Sequence, residues 1–135
     1  MKVKPLNLPL TILMEAVVNP SEDFDKVKTA IQNLVGPMKL DFSQEDKMLK
    51  ASTKEEKSLY HIYEQLRAKQ TLAVARRLLL EHMTGDGTWL IFNKQAAFVG
   101  VVNICEDERE SPLGPIIVTI KSPYIGKFID WLAPG

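Results

Sequence analysis

Nine residues near the start of the chain restrict what it can become. Leu10, Ile12, Met14, Ala16 and Val18 alternate with Thr11, Leu13, Glu15 and Val17, and a period of two is what an extended strand needs to present two faces. Asn19-Pro20 then breaks the strand, because proline lacks a backbone N–H and biases its predecessor away from helix. Ser21-Glu22-Asp23 follows with capping side chains and negative charge suited to a helix N-terminus. A strand stopped abruptly and followed at once by a helix points to a sheet with helices folded back on it.

The rest of the chain extends that pattern. Phe24, Val27, Ala30, Ile31 and Leu34 form one apolar stripe at helical spacing, and Gly36-Pro37 ends it. Pro37–Phe42 alternates as a one-sided strand, Ser43–Asp46 reads as a turn, and Lys47–Thr53 reads as a strand returning antiparallel. Thr53 caps a helix that opens with Glu55 and Glu56 and buries Leu59, Ile62, Tyr63 and Leu66. A second helical stretch, Lys69–Met83, aligns Leu72, Ala75, Leu79 and Met83. With no breaker between them, the two stretches also fit one bent helix. Gly85-Asp86-Gly87 turns the chain into a strand, Thr88–Phe92, apolar on both faces. A short helix, strands at Val99–Cys105 and Ile116–Lys121, and a terminal helix opened by Ser122-Pro123 complete the order β-α-β-β-α-α-β-α-β-β-α. The expected fold is α+β: one domain over residues 1–135, a mostly antiparallel curved sheet, helices packed on one face.

Length and charge bound the function classes. The chain has 135 residues, 45% of them hydrophobic and 25% charged, enough for a core without metals or disulfides. Lys+Arg and Asp+Glu number 17 each, which disfavours a strongly electrostatic nucleic-acid binder while leaving room for a local basic face. A single cysteine, Cys105, allows no internal disulfide and suits a reducing compartment. The opening M-K-V-K-P-L-N-L-P-L has the lysines of a leader, but Pro5 and Pro9 interrupt it and Glu15 ends the apolar run. No apolar stretch reaches the ~18 residues of a membrane span. A cytoplasmic protein is expected.

Catalytic and metal chemistry find little support. His61 and His82 are separated by 21 positions without paired-ligand spacing. Cys105 precedes Glu106, Asp107 and Glu108, which disfavour a thiolate, so it reads as a structural thiol. The acidic run through Glu110 lacks calcium-loop spacing and contains Arg109, consistent with a solvated loop. Gly85-x-Gly87 follows a helix and precedes a strand, the reverse of a phosphate-binding loop. No cofactor and no enzyme activity are expected.

Basic residues are the remaining functional signal. Arg67, Lys69, Arg76 and Arg77 lie within eleven positions. Lys69 and Arg76 share a face if the helix is continuous. Glu81 and Glu64 are placed to neutralise Arg77 and Arg67. Lys94, within Asn93-Lys94-Gln95-Ala96-Ala97, can extend a positive surface. That segment also fits a strand-to-helix connection capped by Asn93, and Ser111-Pro112-Leu113-Gly114-Pro115 fits a rigid turn.

Four segments carry a resemblance that spans nearly the whole chain: Glu15–Asp23, Asn93–Ala97, Glu110–Ile116 and Asp130–Pro134. In order and spacing they resemble a family of small archaeal proteins of unassigned function, described as RNA-binding, with a fold like ribosomal protein L-five. The resemblance implies a curved antiparallel sheet with helices on one side. The chain departs from the family pattern at Phe24, often proline there, and in the extension before Leu10. RNA is the partner it implies. Lys69, Arg76 and Lys94 would contact phosphate, and Asn93 and Gln95 sugar or base edges. The alternative is a homodimer or protein-interaction module using strand edges and the S-P-L-G-P loop.

Overall fold

The computed structural model describes residues 3–135; Met1 and Lys2, which open the stretch weighed above as a leader, lie outside the described residues. Among the described residues six strands are present: β1 Thr11–Val17, β2 Asp41–Glu45, β3 Met48–Thr53, β4 Gly87–Phe92, β5 Ile104–Cys105 and β6 Ile116–Lys121. They form one sheet in the order β2-β3-β1-β6-β4-β5, antiparallel throughout. Five α-helices cover it: α1 Phe24–Val35, α2 Tyr60–Ala68, α3 Leu72–Glu81, α4 Lys94–Phe98 and α5 Ile125–Leu132. The element order matches the sequence reading.

Alternation decides which face the helices cover. Ile12, Met14 and Ala16 of β1, Leu49 and Ala51 of β3, Leu90 and Phe92 of β4, and Ile116, Val118 and Ile120 of β6 join one core cluster. The same cluster takes Ile31 and Leu34 of α1, Ile62 and Leu66 of α2, Leu79 of α3, and Phe128 and Ile129 of α5. Each of the Val, Leu, Ile, Phe and Met side chains among these, removed fully from water, contributes about 1.5–3 kcal/mol. The alternate residues Leu13, Glu15, Lys50, Trp89, Ile117 and Thr119 lie on the other face and are only partly buried.

Two strand boundaries and one ion pairing differ from the expectations, and of the two readings of the helical stretches the structure takes the separate one, each for a local reason. The strand expected at Pro37–Phe42 lies at Asp41–Glu45, because Glu45 pairs with Met48 and the hairpin turns at Asp46, whose φ is +57°. The helices α2 and α3 are separate, since Gln70 between them adopts φ +57° and the Thr71 amide donates back to the Leu66 carbonyl. Lys69 therefore ends one helix while Arg76 lies within the next, and they share no helix face. Val99–Cys105 is a strand only at its last two residues: Gly100, at φ +84°, closes α4, and the Val101 amide returns to the Ala96 carbonyl. Arg67 does not pair with Glu64; it donates to the carbonyls of Tyr63, Trp131 and Leu132, its guanidinium 3.3 Å from the Tyr63 ring centroid.

Candidate nucleic-acid interface

Asn93 caps α4 as its residue type suggests. Its Oδ1 accepts from the Ala96 amide at 2.8 Å, and its Nδ2 donates to the Glu110 carbonyl at 3.0 Å. Lys94 comes next in the chain and points inward, not outward. Only 3% exposed, its Nζ donates to the Val17 carbonyl at 2.7 Å, the Leu113 carbonyl at 2.8 Å and the Glu22 carboxylate at 2.9 Å. An ammonium has three hydrogens, and three partners take them. Lys94 thus has none left for a phosphate, which revises its expected role.

Glu22 completes this clasp. Its Oε1 also accepts from the Asn19 amide at 3.0 Å and from Asn19 Nδ2 at 2.7 Å, and that Nδ2 donates onward to the Leu113 carbonyl. Burial works against the Glu22 carboxylate, but the Asn19 amide and the Lys94 ammonium outweigh it and hold its pKa below the ordinary value. The clasp binds the end of β1, the start of α1, α4 and the S-P-L-G-P loop. It also accounts for Leu113 standing at φ +69°, a conformation costly for a residue with a Cβ: its carbonyl is held by two donors. Three of the four segments that carry the resemblance meet here.

The remaining expected residues divide. Arg76 forms an ion pair with Asp130 at 2.8 Å and donates to the Ala133 carbonyl, fastening α3 to the end of α5. Lys69 is exposed and donates to the Val102 carbonyl at 2.6 Å, leaving two of its hydrogens for a ligand. Gln95 is exposed, with Nε2 on the Pro112 carbonyl. Lys69, Arg76 and Lys94 are tied to different parts of the fold: Lys69 to Val102, Arg76 to Asp130 and Ala133, and Lys94 to Val17, Glu22 and Leu113. Arg77 pairs with Glu81 as its spacing suggests, and also with Glu106.

Above the clasp lies a cleft of about 500 Å³ between α1 and α4, which the sequence reading did not find. Lys26, Gln95, Phe98, Val99 and Leu113 line it. Phe98, Val99 and Leu113 are 40%, 70% and 49% exposed, and Lys26 Nζ lies 5.8 Å from the Phe98 ring centroid. The run Phe98-Val99-Gly100-Val101 carried the only available signal, and its apolarity suggested a strand instead. Cys105 is buried and its thiol is pushed up to about 11, by desolvation first and Glu110 second, which fits a structural role. Among the described residues no cluster of His, Cys, Asp and Glu is placed to hold a metal ion, and no helix is long and apolar enough to cross a membrane.

An antiparallel six-stranded sheet with helices packed on it defines a small single-domain α+β fold. Residues 11–122 match the family described as RNA binding, and the chain belongs to that family. It is 41% identical to a UPF0201 protein of Sulfurisphaera tokodaii over 125 residues, 91% of this chain and 86% of that one. It is 42% identical to a UPF0201 protein of Pyrococcus horikoshii, covering 90% and 87%. The crystal structure of the UPF0201 protein from Methanococcus jannaschii superimposes with a TM-score of 0.76 at 35% identity, covering 93% of each chain.

Proposed function

We propose that this protein is an RNA-binding module that meets RNA through polar side chains the fold leaves free. The observation that carries the reading is the match to an RNA-binding family across the sheet and most of the helices. Of the residues expected from sequence, Lys69 and Gln95 keep polar groups at the surface, whereas Lys94 and Arg76 act as fasteners. Lys69 and Gln95 flank the segment from Phe98 to Val102, where an exposed ring offers a stacking surface. Binding is measured by fluorescence anisotropy with a structured RNA at ~50 mM salt, where phosphate contacts are strongest. Salt-sensitive binding is the expected result, and no binding there overturns the reading.

A second reading follows from the cleft. Phe98, Val99 and Leu113 form an exposed apolar rim, and such a surface suits a protein partner or a second copy of this chain. Light scattering tests the homodimer: a mass near 30 kDa, about twice the 15.2 kDa chain, supports it, and a monomer at all concentrations removes it.

A further inference from the structure

One end of the sheet gathers cations that the fold leaves without acidic partners. β1 begins there, and β3 and β6 end there. Thr11 is in register with Lys121, and Ile12 with Thr53, so Lys54 follows at once. Lys54 and Lys121 line one hollow of about 260 Å³ with Thr11, Pro9, Ser122 and Asp86. Among the described residues neither lysine forms an ion pair, unlike Lys50, Arg76, Arg77, Lys94 and Arg109. Asp86 is the one carboxylate in the hollow, so the local balance is positive in a chain whose overall charge is zero.

The backbone beneath is well held. Ser122 Oγ donates to the Pro9 carbonyl at 2.7 Å and accepts from the Tyr124 amide at 3.1 Å, and the Ser122 amide donates to the Asp86 carbonyl at 2.8 Å. One residue past the hollow, Tyr124 is 45% exposed, and Lys127 Nζ lies 5.5 Å from its ring centroid. Exposed lysines on a hydrogen-bonded backbone beside an exposed ring match the two chemistries of a nucleotide chain, phosphate charge and a base with a π-face. Only an unpaired strand can bring a base onto such a ring.

The geometry points to this end of the sheet as a site for single-stranded RNA, with Lys54 and Lys121 on phosphates and Tyr124 stacking a base. The assignment rests on the RNA reading above and adds both the surface and the strandedness. It is tested by anisotropy with a labelled single-stranded RNA of ~12 nucleotides, within the usual site size for such surfaces. K54A/K121A is compared with K39A/K47A, which removes the same charge elsewhere; Lys47 lies before β3 and Lys54 after it. Thermal melts check that all variants fold. We expect K54A/K121A to weaken binding about tenfold or more and to reduce the salt slope by about 1.4, two phosphates at ~0.7 each. K39A/K47A should stay within about twofold, and Tyr124→Ala should lose about fivefold or more, the low end for one stacked base. If the wild type binds but K54A/K121A matches the control, this site is overturned and the RNA reading stands. If the wild type binds the structured RNA but not the single strand, this site is again overturned and the RNA reading stands; if it binds neither, both fall.

Discussion

Two lysine-bearing regions of this molecule differ sharply. Around Lys94, a recognisable motif turns its charge inward and spends it on Glu22 and two carbonyls. Around Lys54 and Lys121, residues outside any motif keep their charge at the surface with no ion pair among the described residues. The contrast teaches that a motif marks constraint, and constraint at Lys94 comes from folding. Three chain segments converge on a single buried ammonium. A lysine holding a hollow at the end of a sheet needs no such neighbours and leaves a weaker mark in the sequence.

Breaking the clasp gives the largest effect. Lys94→Met strands a nearly buried carboxylate and should cost about 3–5 kcal/mol in urea unfolding. The double variant with Glu22→Leu should be less destabilised than Lys94→Met alone, since it removes the orphaned charge. A loss below about 1 kcal/mol for Lys94→Met would mean the clasp contributes little. Asn93→Ala comes next, at about 1 kcal/mol for a lost helix cap, read as a shift in the unfolding midpoint.

A pH series sharpens the same point. The folded-state pKa of Glu22 lies below its ordinary 4.5, so its contribution to stability is fully present above that value. It is lost as pH falls through the lower folded value. Unfolding measured from pH 6 downward, on the order of one pH unit per step, should decline less steeply in Glu22→Gln through that acid window; identical slopes would count against the pairing. At the other end of the scale, Lys54→Ala and Lys121→Ala should change stability by no more than about 0.5 kcal/mol, as for most exposed substitutions. A larger loss would show that these lysines are also fasteners.

Much of the fold was legible because its signals are local. Alternation in Thr11–Val17, the α1 stripe, and the Gly85-Asp86-Gly87 and Ser122-Pro123 breaks each act within a few residues. The errors arose where partners are remote or the backbone takes an unannounced left-handed turn. Asp46 adopts positive φ without being glycine, so one strand moved along the chain; Gln70 does the same and decides for two helices over one bent one. The site was less legible still. Lys94 finds its partners 77, 72 and 19 positions away, and no helical or strand period encodes such distances. Asn93 was readable as a cap because its bond spans three residues. Val99 to Asn103 looked like a strand by apolarity, yet Val99 is 70% exposed, since the turn at Gly100 lifts it off the sheet.

The central claim is that RNA meets the cations the fold leaves free and not the lysine it buries. An NMR titration of labelled protein with single-stranded RNA tests this most directly, by amide shift changes residue by residue. The account predicts the largest changes at Thr11, Lys54, Gly87 and from Lys121 to Lys127, with smaller ones near Lys69 and Gln95. Lys94 should stay in place. Changes centred on Lys94 and Glu22, with none at the Lys54–Lys121 end, would contradict it.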